Sequence, residues 1–358
     1  MKRILASGFG LLVWVGLVLF GLSPPSVHPS AAPAASPATI QINAAGATFP
    51  YPIYSKWFDV YHNLRPDIQI NYQSIGSGGG IRQVMAGTVD FGASDGPMTD
   101  SQLAEAKSKL GCDVLHFPTV LGADVPTYNI PGVTAELKFT PEGLSGIFLG
   151  KITKWNDPYL TQANPGANLP ASDIVVVHRS DGSGTTYIWT DYLSKGSAGW
   201  KEKVGRGTSV NWPVGLGGKG NEGVSGLVKQ TPYSIGYVEL VYAIQNQLPY
   251  GLVKNSAGKF VKADLSTVTA AAAGAAKAMP DDFRVSITDA PGRNAYPIPS
   301  FTWLLIPSRI ADDGKKQILK DFLRWMMSEG QSLVEPLSYA RLPKEVVAKE
   351  MKAISLIE

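Results

Sequence analysis

The sequence is poor in the residues that build covalent and metal scaffolds: of 358 positions, one is cysteine and four are histidine. Cys112 has no partner in the chain, which excludes an internal disulfide framework. His28, His62, His116 and His178 are too far apart to show metal-ligand spacing, so no metal and no cofactor is expected. Charge is scarce as well. Charged residues make up 17 %, and the net charge is +3, of which Lys2 and Arg3 supply two. No basic stretch marks a nucleic-acid partner. Neither H-E-x-x-H nor a Walker A sequence is present, so a zinc hydrolase or a P-loop nucleotidase lacks its parts.

Glycine (38) and proline (26) are plentiful, and hydrophobic residues at 44 % suffice for real cores. The length suggests two domains. Lys2 and Arg3 precede an uncharged apolar run from Ile4 to Leu22, and five prolines follow between Pro24 and Pro37. Residues 1–39 thus have the shape of an export signal and a tether. The apolar run is also nearly long enough to span a bilayer. Two readings therefore stand, a signal cleaved near Ala32-Pro33-Ala34 or a retained membrane anchor. Both place the folded part outside the cytoplasm.

From Ile40 onward, strand and helix patterns alternate, which predicts an α/β fold. Tyr54, Trp57, Phe58 and Tyr61 fall at i, i+3, i+4 and i+7, the apolar face of a helix. Ile68, Ile70 and Tyr72 alternate as a strand, and residues 89–93, 174–177, 234–238 and 301–306 read as further strands. Leu319, Phe322, Leu323 and Met326 predict an amphipathic helix near the C-terminus. The alanine-rich stretch 269–278 reads as a short helix or a surface linker.

The chemistry concentrates in three turns of small residues: Ala45-Gly46-Ala47-Thr48-Phe49-Pro50, Ile75-Gly76-Ser77-Gly78-Gly79-Gly80, and Arg179 to Thr186, which reads R-S-D-G-S-G-T-T. Each leads an extended segment into a helix. The first N–H groups of that helix are left unpaired beside a hydroxyl, at the positive end of the helix dipole, which suits an anion. Singly such a turn is an ordinary cap; three in one chain, one of them with Arg179, point to an oxyanion. Arg179 offers a planar fork of donors, and Asp181 can hold that fork by a side-on pair or form a mere surface ion pair with it. Asp95 is the odd member. A carboxylate repels an anion unless the ligand carries a proton, and Ser94-Asp95-Gly96-Pro97 also has plain turn chemistry. Gly215 to Gly220 fits G-x-G-x-x-G with Glu239 19 residues further on, but Trp212-Pro213 in front of it makes a poor central strand for a dinucleotide site.

Together the segments A-G-A-T-F-P (45–50), I-G-S-G-G-G (75–80), T-V-D-F-G-A-S-D (88–95), R-S-D-G-S-G-T (179–185), W-P-V-G-L-G-G-K-G-N-E-G-V (212–224) and S-I-G-Y-V-E (234–239) closely resemble the periplasmic phosphate-binding proteins of bacterial ABC phosphate importers. L-S-Y-A-R-L-P (337–343) also fits.

The resemblance implies a type II periplasmic-binding-protein fold: two α/β lobes, residues 40–122 with 300–358 and residues 123–299, joined by two strand crossovers around a ligand cleft. It implies phosphate held by Thr48, Phe49 through its N–H, Ser77 and Asp95 from one lobe, and by Arg179, Ser183, Gly184 and Thr185 from the other, with Asp181 in support. The implied protein is a monomer without enzymatic activity that passes phosphate to the permease and ATPase subunits of an importer. His178 stands where many relatives carry a second basic residue, leaving the charge beside Arg179 open to pH. Two alternatives stay open, a phosphatase-like hydrolase using Ser183 near Asp181, and a binder of another protonated oxyanion such as arsenate.

Overall fold

A computed structural model describes residues 39–358, so the apolar run and tether, and the export reading attached to them, lie outside the described residues. The strands are β1 (Ile40–Gly46), β2 (Ile68–Ser74), β3 (Phe91–Ser94), β4 (Val114–Asn129), β5 (Lys138–Phe139), β6 (Val175–Arg179), β7 (Leu216–Gly218), β8 (Ser234–Glu239), β9 (Leu252–Lys254), β10 (Phe260–Val261) and β11 (Pro299–Pro307). The helices are α1 (Tyr51–Leu64), α2 (Ser77–Met85), α3 (Asp100–Leu110), α4 (Pro141–Phe148), α5 (Pro158–Ala163), α6 (Gly184–Gly196), α7 (Ala198–Lys203), α8 (Gly220–Gln230), α9 (Leu240–Gln245), α10 (Leu265–Lys277), α11 (Asp313–Met327) and α12 (Lys344–Ala353).

Eight strands form one sheet in the order β2-β1-β3-β11-β4-β8-β6-β7, and β10-β9-β5 form a small second one. Strand β4 is the joint of the large sheet. Its 16 residues pair antiparallel with β11 through Ala123 and then, from Asp124 on, with β8. Such a long buried strand is sustained by a mostly apolar sequence, with His116, Thr119, Asp124 and Thr127 as its buried polar members. On one side of this joint β1 runs parallel to β2 and β3; on the other β6 runs parallel to β7 and β8. Segment 279–284 adds a second link across the joint. It packs under β11 and α12 through Trp303 Nε1 donating to Phe283 O (2.9 Å) and Lys349 Nζ to Met279 O (2.7 Å), while Ser286 and Thr288 just beyond it donate to Asp191 of α6.

The aromatic face of α1 is buried as its spacing predicts, Tyr54 and Trp57 completely, against Tyr72, Phe91 and Phe322. The alanine-rich stretch is a helix, α10, because Asp264 and Thr267 form a reciprocal capping box at its start. In the G-x-G-x-x-G segment, Leu216–Gly218 pair with β6 as an edge strand and Gly220 starts α8. Gly80 shows why α2 is glycine-rich, since a Cβ there would come within 2.6–2.7 Å of Gly46 and the carbonyls of Ala45 and Ala93. Among the described residues no helix is long and apolar enough to cross a membrane.

Candidate functional site

In an open α/β sheet, ligands bind beyond the carboxyl ends of parallel strands, where helix N-termini gather. Here the carboxyl ends of β1, β2 and β3 face those of β6 and β7. Strand β1 ends at Gly46 and leads through Thr48 and Phe49 into α1, β2 leads through Gly76 into α2, and β3 ends at Ser94 beside Asp95. From the other side β6 ends at Arg179 and leads through the Asp181–Ser183 turn into α6. The Gly78 N–H donates to Gly182 O at 2.8 Å, so the second and third turns touch. Thr48, Ser77, Asp95, Arg179, Ser183 and Thr185 are all buried, none more than 3 % exposed. The structure thus brings Ser77, Asp95 and Gly184 together and sets Arg179 against Asp181 and Thr185, with Thr48 and Ser183 buried in the turns beside them. Gly184 closes the gap tightly. A Cβ on it would lie 2.5 Å from both Asp95 Oδ2 and Ser77 Oγ.

Donors dominate this enclosure. Arg179 spends Nε and Nη2 on Asp181 (2.8 and 2.5 Å) and one Nη1 hydrogen on Thr185 Oγ1 (3.1 Å), leaving one hydrogen on each terminal nitrogen. Asp181 also accepts the Gly220 N–H at 3.0 Å. Burial alone would raise the Asp181 carboxyl, but the guanidinium outweighs it and holds the group below the usual carboxylate range; the same pair keeps Arg179 charged. Ser183 caps α6, its Oγ accepting from the Thr186 N–H (3.0 Å), which leaves the hydroxyl proton to donate.

Asp95 is the acceptor among them. Its Oδ1 takes a hydrogen bond from Thr302 Oγ1 (2.8 Å) and its Oδ2 one from Ser77 Oγ (3.3 Å). Burial pushes the carboxyl up to about 7, against the downward pull of Thr302, Arg179 and Ser77.

Two residues at this site were given no role by the sequence. Thr302 comes from β11, more than 200 positions from Asp95. Asn221, at the start of α8, donates from Nδ2 to Thr48 Oγ1 (2.8 Å) and Thr185 Oγ1 (3.2 Å). Asn221 lies within the 212–224 segment of the family resemblance, which gave it no role, and Glu239, the acid at dinucleotide distance, instead caps α9 through Val241 N (2.7 Å). The run Gly92 to Gly96 has the G-x-S-x-G spacing of a nucleophile elbow, but Ser94 Oγ is spent on Gly96 O (2.5 Å) and no helix follows directly. His178 is half-buried, its ring stacked on Trp212 (4.7 Å), and burial pushes its pKa below the ordinary value.

At the strand joint, Asp124 and Glu239 face one another across β4 and β8. Both are fully buried, and neither Asp124 carboxyl oxygen has a hydrogen-bond partner among the described residues. Burial raises the Asp124 pKa well above the usual range, with Asp95 and Glu239 adding to it. A carboxyl raised on folding stabilises least at high pH, because the unfolded chain ionises first; the penalty grows as pH climbs from about 4. Asp124→Val is expected to stabilise the protein by about 1–3 kcal/mol through removal of unpaired polar atoms. Urea unfolding at pH 5 and 8 checks this, with the larger gain at pH 8; destabilisation at both would show that the carboxyl is satisfied.

Comparison with known proteins follows the same lines. Residues 31–330 match a family model described as a PBP superfamily domain. The chain is 47 % identical over 309 residues to the phosphate-binding protein PstS of Pasteurella multocida, covering 86 % of this chain and 88 % of that protein. It is 40 % identical to the phosphate-binding protein PstS of Methanocaldococcus jannaschii over the whole of this chain and 97 % of the other. Among solved structures, a high-affinity periplasmic phosphate-binding protein (PfluDING) bound with phosphate aligns with a TM-score of 0.71 at 22 % identity, covering 87 % of this chain and 93 % of that one. A phosphate-binding protein from Stenotrophomonas maltophilia aligns at 0.65 and 17 %, covering 88 % and 94 %.

Proposed function

Because this chain belongs to the PBP superfamily and to its phosphate-binding proteins, we propose that it captures inorganic phosphate outside the cytoplasm and hands it to an ABC-type import permease and its ATPase subunits. Its fold is that of the type II periplasmic binding proteins. The lobes are residues 40–122 with 300–358 and residues 123–299, segment 279–284 linking the two, and the protein works as a monomer. Phosphate sits among Thr48, the Phe49 N–H, Ser77, Asp95, Arg179, Ser183, Gly184 and Thr185, with Asp181 holding Arg179.

One observation carries this reading: a buried shell of donors contains one carboxylate not tied up by Arg179, Asp95, held as an acceptor by Thr302 and Ser77. Near neutral pH phosphate keeps a proton to give to that carboxylate, whereas sulfate has none. A deprotonated ligand would oppose two unpaired oxygens in a dry site, at about 2–5 kcal/mol, or roughly 30-fold to several thousand-fold in affinity. Isothermal titration at pH 9, where the Asp95 carboxyl is ionised and phosphate still keeps one proton, is expected to show tight phosphate binding and sulfate binding weaker by that margin. Equal affinities would overturn the reading.

The hydrolase alternative finds no support in the geometry. Ser183 Oγ caps a helix and the Asp181 carboxylate is turned to Arg179 and Gly220, so neither serves the other as nucleophile and base. Arsenate, protonated like phosphate, fits the same shell, and competition in the same titration ranks the two.

A further inference from the structure

We propose that Asn221 is the positioning residue that fixes the hydroxyls of Thr48 and Thr185 as donors, and that it does so only when the two lobes meet. The inference rests on the phosphate-binding reading and adds a residue to it.

The orientation of the Asn221 amide follows from its partners. The backbone N–H of Glu239 points at one end of it, 3.0 Å away, and an N–H can be accepted only by the oxygen. Oδ1 therefore faces Glu239, and Nδ2 faces the threonines. Its two hydrogens are divided, one to Thr48 Oγ1 at 2.8 Å and one to Thr185 Oγ1 at 3.2 Å. Asn221 is completely buried, so water does not compete for them.

Each hydroxyl oxygen has two lone pairs and one proton. Thr48 Oγ1 also accepts the backbone N–H of Asn221 (3.2 Å), so both its lone pairs are used. Thr185 Oγ1 accepts from Arg179 Nη1 (3.1 Å) and from Asn221, so its lone pairs are used as well. Neither hydroxyl has an alternative left. Its proton can only be donated, and the enclosed side shared with Arg179 and Ser183 is where an oxyanion accepts it. Without Asn221 each threonine could rotate to present a lone pair, which repels an anion. Thr48 comes from the β1–α1 turn, while Asn221 and Thr185 come from the other side of the joint. The arrangement therefore exists only with the two sides together, which ties closure to the donor pattern that a phosphate needs.

The test is phosphate titration of the full exported chain and two variants. Asn221→Asp keeps shape and the bond to Glu239 while replacing the donor end by an acceptor, and it is expected to lose at least 100-fold in affinity. Asn221→Ser, which cannot reach both hydroxyls, is expected to lose about 10-fold to 100-fold, with melting temperature near that of the wild type. The decisive readout is coupling: in a Thr48→Val background Asn221→Ser should cost at least threefold less than it does alone, because the hydroxyl it orients is gone. A merely structural role gives penalties that multiply, and that result overturns the proposal, as does an Asn221→Asp variant within threefold of the wild type. Failure of the wild type itself to bind phosphate would instead sink the phosphate reading.

Discussion

Replacing Arg179 with alanine is expected to weaken phosphate binding by about 30-fold to several thousand-fold, the cost of removing one partner from a buried, hydrogen-bonded charge pair. Arg179 is the sole full positive charge among the residues assigned to the ligand, and it sits at the end of β6 with its side chain 1 % exposed. Two of its donors are spent on Asp181, which sets the plane of the fork, and a third reaches Thr185. The remaining two are what an anion receives. Removal takes away the charge and frees Asp181, whose carboxylate would then add repulsion at the pocket wall. Arg179→Lys keeps the charge but cannot hold Asp181 and reach the ligand at once, so it should recover only part of the loss. Calorimetry on both variants decides the matter. Affinity within tenfold of wild type in Arg179→Ala would place the anion elsewhere.

Asp95→Asn is the second large effect, and it concerns selectivity. The amide offers donors where the carboxylate only accepts, so at pH 9 sulfate should gain about 30-fold to several thousand-fold while phosphate stays within an order of magnitude. The wild type should show a weaker form of the same change with pH. Burial raises the Asp95 carboxyl to about 7, so below that pH the protonated group can donate, and sulfate binding should strengthen as pH falls from 8 to 5. In Asp95→Asn that slope should vanish. Unchanged sulfate affinity in the variant, or no slope in the wild type, would remove Asp95 from the selectivity argument.

The helix starts at Thr48–Phe49, Ser77 and Ser183–Thr185 were legible because hydroxyls and glycines before an apolar period are a local signal. The Arg179–Asp181 pair was legible for a similar reason, being two residues apart on one turn. The roles of Thr302 and Asn221 were not legible. Each is a single ordinary polar residue, and each acquires its role from a partner far away in the chain, Asp95 for the first and Thr48 for the second. The G-x-G-x-x-G segment pointed to the right place for the wrong reason. Its glycines seat a short edge strand against β6 and open α8, and the residue that matters follows the last of them.

By itself, then, the sequence determined the alternation of strands and helices, the three glycine turns and the identity of the residues that end there. These depend on contacts within a few positions, which composition and period record directly. The tertiary structure alone decided which way each donor points. Hydroxyl and amide direction depends on which partners are already taken, and those partners arrive from β11, α8 and the far side of the joint at Asp124. Whether Asp95 accepts and the two threonines donate is therefore a property of the assembled fold.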